Sequence, residues 1–240
     1  MHEYCVSVDI AKKRDYTAIM VFRDRPNLVE GIESLGQGHR FIHTYDIMHI
    51  DKFQGVSYPE IADIVSNMME HHDLKANADL LVDGSGVGAA VVDLMRDMFL
   101  TPIPIIFTGP GKAREVYADM GNIFSVSDRL KGARILNEIH VPKVDMVAAA
   151  RILTQQRRFR MTQGLKWADE FERQMLKFRG KVNEKTGHVR HEAETEDTHD
   201  DLVVCLLMAA WWFNRDRRDT EIVAARTGDS VPEWNPMDFA

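Results

Sequence analysis

Three widely separated segments each set an aspartate against an apolar run: Val6-Ser7-Val8-Asp9-Ile10, Leu80-Leu81-Val82-Asp83-Gly84 and His199-Asp200-Asp201-Leu202-Val203-Val204. The first two read as buried strands that contain or end in a carboxylate. The third opens a long apolar helix. A carboxylate beside a core is costly unless something pairs with it. Taken alone, each of these aspartates is an ordinary turn or helix cap. Three such groups brought together would repel one another without a cation between them, and oxygen-rich sites suit magnesium or manganese.

The first part of the chain alternates β and α signals. Tyr4 to Ile10 and Tyr16 to Phe22 are apolar, β-branched runs joined by the polar turn Lys12-Lys13-Arg14-Asp15, and they predict an antiparallel hairpin. Arg23 to Gly38 reads as a connection, and Arg40 to Ile50 as a third strand. Tyr58 to His72 has helical spacing at Ile61, Ile64, Val65 and Met68, with Ser57 and Glu60 placed as a capping box. Asp79 to Asp83 predicts a fourth strand, followed by Gly84-Ser85-Gly86-Val87-Gly88, a helix to about Met98, and a fifth strand from Pro102 to Phe107. Arg114 to Phe124 reads as loop or short strand. The resulting β-β-β-α-β-α-β order predicts a mixed sheet flanked by helices.

The later part reads as mainly helical. Ser127 and Asp128 are placed to cap a helix through Ile139, Val141-Pro142-Lys143 interrupts it, and helices are expected over Asp145 to Arg157, Leu165 to Phe178 and Asp200 to Asn214. Lys181 to Asn183 and His188 to Arg190 are spaced as a small hairpin. One domain over residues 1–226 is expected, with a flexible tail over 227–240, where Pro232 and Pro236 fall.

No apolar run is long enough to span a bilayer, and the N-terminus carries no secretory signal. Cys5 and Cys205 sit inside apolar segments, which fits buried thiols in a reducing compartment. No Cys/His spacing resembles a zinc site. The formal net charge of −7 argues against a nucleic-acid partner, but its distribution does not. Arg151 to Arg190 holds 11 Lys and Arg against 4 Asp and Glu, and His191 to Asp201 then holds 6 acids and no Lys or Arg. A basic stretch beside an acidic cluster suits a surface that grips phosphate next to one that loads metal. It also suits a plain solvated helix face beside an acidic loop.

The glycines after Asp83 do not form the GxGxxG dinucleotide fingerprint, and no Walker A sequence occurs. They let the backbone pass close to a metal or a phosphate, or they make a tight strand-to-helix turn. Three carboxylates on one mixed sheet can hold two divalent ions, the arrangement used for two-metal phosphodiester hydrolysis. Asp9, Asp83 and Asp201 are the candidate catalytic and metal-ligating residues, with Asp200 a further candidate ligand. His199 and Asp15 are possible auxiliary groups.

The segments VDIAKKRDYTAIMVF (8–22), LLVDGSGVG (80–88), VPKVDMVAAARILTQQRRFRM (141–161) and FRGKVNEKTGHVRHEAETEDTHDDLVVCLLMAAWW (178–212) resemble the nuclease domain of the large terminase subunit of tailed bacteriophages, in the ribonuclease H-like superfamily. The resemblance runs from about residue 4 to 213, and HDDLVVCLLMAA is its most specific part. It implies an α/β fold with a five-stranded mixed sheet flanked by helices and a small auxiliary β-hairpin. It also implies magnesium- or manganese-dependent endonucleolytic cutting of concatemeric viral DNA during genome packaging, with two bound ions. Asp9 matches the family's first-strand aspartate, Asp83 its fourth-strand acid and Asp201 its helix aspartate. Lys181 to Arg190 resembles the hairpin beside the active site, so Lys177, Arg179, Lys181, Lys185 and Arg190 are candidate DNA contacts. The implied partners are double-stranded DNA, an ATPase motor domain, the small terminase subunit and the portal, in the host bacterial cytoplasm. Full-length family members carry a P-loop motor that is absent here, so an excised domain or a stand-alone nuclease is expected. A Holliday-junction resolvase shares the fold and chemistry. An actin-like, sugar-kinase ATPase shares the sheet order, but the early AKKRD loop is not glycine-rich and the chain is short for two lobes. An inactive binding module would require a lost carboxylate.

Overall fold

The structure, a computed structural model, describes residues 2–10, 15–28, 41–119, 134–178 and 200–215. Eight strands, β1 (Tyr4–Asp9), β2 (Tyr16–Leu28), β3 (Phe41–Gln54), β4 (Ala78–Asp83), β5 (Pro102–Thr108), β6 (Arg114–Asp119), β7 (Arg134–Pro142) and β8 (Phe159–Met161), form one mixed sheet. Their order is β6-β7-β5-β4-β1-β2-β3-β8. The expected ribonuclease H-like five, β3-β2-β1-β4-β5, are central: β1, β2 and β3 pair antiparallel, while β4 and β5 run parallel to β1. The sheet is larger than the five strands expected, because β6 and β7 extend one edge and β8 the other.

Helices α1 (Tyr58–Met69) and α2 (Gly88–Asp97) cover one face of the sheet. Helices α3 (Lys143–Gln155), α4 (Ala168–Phe178) and α5 (Asp201–Asn214) cover the other. The two faces sort by strand alternation. Val6, Val8, Leu80 and Val82 pack with Ile61, Val65, Val91 and Met95, whereas Cys5 and Leu81 pack with Met146, Phe171 and α5. Ser57 caps α1, with Glu60 returning to the Ser57 backbone as the capping box predicts. Helix α5 is apolar all round because it is buried on all sides, between the sheet and α3 and α4. The Tyr45 and Phe213 rings stack with centroids 4.0 Å apart where β3 meets the end of α5. Cys5 and Cys205 are buried free thiols, Cys205 donating to the Ala18 carbonyl at 3.5 Å, and burial raises both. Among the described residues no helix is long and apolar enough to cross a membrane.

Two segments differ from expectation. The helix expected through Ile139 is, from Arg134 onward, strand β7. Ile139 and Val141 are buried and alternate with Glu138 and His140, and β7 pairs parallel with β5 and antiparallel with β6. The open edge of β5 supplies backbone partners that local helical spacing cannot reveal. Pro142 ends β7 and stands at the N-cap of α3, with φ −60°. Likewise, the polar run after Phe22 is not a connection: β2 continues to Leu28, in register with β3. Arg23 bonds Glu3, His43 bonds Asp24 at 2.7 Å and Arg25 pairs with Asp46. Cross-strand charge pairs thus take the place of apolar alternation. Pro26 lies where β2 has outrun β1, which begins opposite Arg23.

The glycines after Asp83 make a tight strand-to-helix turn. Gly84 donates to the Ile105 carbonyl at 3.0 Å, and a Cβ there would lie 2.7 Å from Ile106 Cδ1. At Gly88 a Cβ would lie 1.8 Å from the Asp83 carbonyl oxygen, while Gly86 has open space and φ of +60°. Gly88→Ala therefore displaces the backbone of Asp83 and should lower stability by about 1–3 kcal/mol or more, whereas Gly86→Ala carries only left-handed strain of about 1 kcal/mol. Denaturant titration of the two variants checks the order.

Candidate metal centre

Asp9 and Asp83 end adjacent parallel strands. Val8 lies opposite Val82, so the two aspartates are neighbours at the carboxyl end of the sheet. Alternation turns both toward the α5 face: Cys5, Ser7 and Asp9 share one side of β1, as Leu81 and Asp83 share one side of β4. Ser7 Oγ donates to the Cys205 carbonyl at 2.9 Å within the core and ties the first turns of α5 to β1. That anchor brings Asp201, the first residue of α5, to the same end of the sheet. Asp201 is 8% exposed.

The electrostatics register the crowding. Asp9 is pushed well above the usual carboxylate range, first by burial and then by the charges of Asp83, Asp201 and Asp200. The approach of the two carboxyls favours the protonated form of Asp9 and the ionised form of Asp83. Asp83 is also raised by burial, opposed by bonds from Ser85 and by the charge of Lys143 at the start of α3. The Ser85 amide donates to Asp83 Oδ1 at 2.8 Å, and the Ser85 hydroxyl accepts from the Phe107 amide at 3.2 Å.

The third carboxylate has a partner that the sequence pattern did not single out. Lys52 Nζ lies 3.2 Å from Asp201 Oδ2 and 3.6 Å from Glu170 Oε1, and its side chain is only 4% exposed. The Tyr16 ring lies beneath it, with the centroid 4.2 Å from Nζ. The register explains the meeting: Asp9 is opposite Ala18, and Ala18 is opposite Lys52. Asp83, Asp9, Ala18 and Lys52 therefore form a row across β4, β1, β2 and β3. Period-2 patterning of β3, with Ile50 in the core two residues before Lys52, is the one signal that could have drawn attention to it. The helix start is also not the acidic cap considered from sequence. Asp200 occupies the N-cap position of α5 without a side-chain capping bond. Instead the Leu202 amide donates to Gln174 Oε1 at 3.0 Å, and Gln174 Nε2 donates to Glu170 Oε1 at 3.2 Å.

Asp15 is exposed immediately before β2. Lys177 is exposed in the last turn of α4. His199, Arg179, Lys181, Lys185 and Arg190, with the hairpin expected over 181–190, lie outside the described residues, as does the tail over 227–240. His71, His72 and Asp73 bring donor atoms within 4.8 Å of one another, but all three are exposed. They precede β4, at the end of the sheet opposite Asp9 and Asp83. They are separate from the carboxylate cluster.

Without added metal, the raised Asp9 binds a proton that the unfolded chain has lost. Its contribution to stability is therefore full below the ordinary carboxylate range and disappears as pH rises through the raised value. Thermal melts in chelator should show stability falling across that window, by about 1.4 kcal/mol for each pH unit it spans, and Asp9→Asn should flatten the fall. The single substitutions should also differ in sign. Asp9→Ala relieves repulsion and should raise the metal-free melting temperature, whereas Asp201→Ala removes the nearer of buried Lys52's two carboxylate partners and should lower stability by about 1–3 kcal/mol.

No protein-family model matches the chain, and no curated protein matches it in sequence. Among solved structures, the chain is similar to the large terminase nuclease from thermophilic phage G20c, with 16% sequence identity and a TM-score of 0.51. The similarity covers 87% of this chain and 81% of that one. It establishes a shared fold, the one that the sequence resemblance led us to expect.

Proposed function

We propose that this protein is a divalent-metal-dependent DNA endonuclease of the terminase type, which hydrolyses phosphodiester bonds in concatemeric viral DNA during genome packaging. The observation that carries the proposal is that Asp9, Asp83 and Asp201, from β1, β4 and α5, stand at one end of the sheet near enough for the charges of Asp83 and Asp201 to act on Asp9; their oxygens do not close to the 4.8 Å spacing seen at His71, His72 and Asp73. The donor set fits a hard cation: it is all oxygen, its charges push Asp9 upward, and strands and a buried helix fix it. Asp9, Asp83 and Asp201 would hold magnesium or manganese, with Asp200 beside them. The cations would supply charge neutralisation for the attacking and leaving oxygens of an in-line displacement, and two ions suit that chemistry.

The chain's own groups have defined parts. Asp9 would ligate as the carboxylate, so loading the cluster would favour its ionised form. Ser85 holds Asp83 in one orientation through its amide and hydroxyl. Lys143 stands on the Asp83 side of the cluster, where a cation both favours ionised Asp83 and suits an incoming phosphate. Lys177 and the basic residues Arg179, Lys181, Lys185 and Arg190 would hold the DNA backbone through sequence-independent contacts, so their neutralisation should weaken binding and flatten its salt dependence. Double-stranded DNA is the proposed substrate. A terminase motor, small subunit and portal are the partners that a packaging role would require.

A nicking assay on supercoiled plasmid tests the proposal. Magnesium or manganese should support nicking, chelator should abolish it, and Asp9→Ala, Asp83→Ala and Asp201→Ala should each reduce it to background. No nicking by wild-type protein with either metal would refute the endonuclease. Competition between linear and four-way DNA separates the two nuclease classes: preference for the four-way junction would replace the terminase with a resolvase.

A further inference from the structure

We propose that Lys52 is a positioning residue that acts as a built-in counter-ion for Asp201 and competes with divalent cations for that carboxylate. The proposal rests on the metal-dependent nuclease reading above and adds a residue that sets how readily the site loads.

Four observations support it. First, the ammonium is held on several sides at once: Asp201 Oδ2 at 3.2 Å, Glu170 Oε1 at 3.6 Å and the face of Tyr16. A surface lysine that meets an acid by chance is not enclosed in this way. Second, the side chain is 4% exposed, which leaves little of it available for direct contact with a DNA backbone. Third, Lys52 and Asp9 lie in one row on the same face, separated by the small side chain of Ala18. The charge therefore acts within the carboxylate cluster. Fourth, the acid side of the arrangement is itself fixed. Glu170 is bonded by Arg173 at 2.8 Å and by Gln174, and Gln174 caps the first turn of α5 at Leu202. Helix α4 thereby clamps Lys52 and the start of α5 together.

The consequence follows from charge. A unit positive charge 3.2 Å from Asp201 Oδ2 offsets the charge of that buried oxygen in the metal-free protein without hydrogen-bonding it. The same charge disfavours a divalent cation at Asp201. Lys52 therefore keeps the unloaded site folded and lowers its affinity for metal. Removing the charge should reverse both effects.

The experiment compares wild type with Lys52→Met and Lys52→Arg, using manganese as the probe. Melting temperature is read in chelator and in saturating Mn²⁺, and Mn²⁺ affinity is read by electron paramagnetic resonance titration. Lys52→Met should melt lower in chelator, gain more than wild type from Mn²⁺, and bind Mn²⁺ more tightly by roughly tenfold, the scale of one nearby unit charge at a partly buried site. Lys52→Arg should stay near wild type in all three. If Lys52→Met is too unstable to study without metal, adding Asp201→Asn should restore its metal-free melting temperature, because the pair is then removed together. An equal fall in melting temperature with and without Mn²⁺, at unchanged affinity, would mean that Lys52 only packs and would overturn the inference while the nuclease stands. Failure of both wild type and Lys52→Met to bind Mn²⁺ would overturn the metal reading and this inference with it.

Discussion

Mutual repulsion among carboxylates governs this molecule. Asp9, Asp83 and Asp201 are partly or fully withdrawn from water at the end of one sheet, with Asp200 adding its charge. The fold answers with three local devices: a raised Asp9 that favours its neutral form, the Ser85 amide and hydroxyl on Asp83, and the Lys52 ammonium beside Asp201. Each offsets part of the desolvation cost. A site of this kind costs stability in exchange for readiness to bind, as functional sites commonly do.

The scaffold's geometry serves that cluster. Parallel pairing of β1 with β4 puts two strand ends side by side, and the β1–β2–β3 meander carries Lys52 into the same row. Helix α5 must lie on this face because it is apolar all round and has no other place to hide, and Ser7 and Gln174 fix its start. On the other side of the cluster, Gly88 lets α2 begin against the Asp83 carbonyl, which holds that strand end where it is.

Much of this was legible in the sequence because local rules and global fold agree there. The capping box at Ser57 and Glu60, the first hairpin, the strand-glycine-helix turn and the apolar start of α5 each carry their own signal. Where the two disagree, local patterning misled. Residues of β7 have helical spacing but are claimed by the open edge of β5. The end of β2 looks like a loop because its strand partners are charges rather than apolar side chains. Lys52 was invisible for a related reason: a single lysine in a strand says nothing until the register reveals what it faces.

The sequence by itself determined the types of the central elements and singled out three aspartates as candidates, because burial periodicity and turn chemistry are short-range properties written in adjacent residues. Only the tertiary structure decided which groups stand beside those carboxylates. Counter-charge and capping come from β3 and α4, dozens of residues away from the acids they serve, and strand register and helix packing alone bring them within bonding distance.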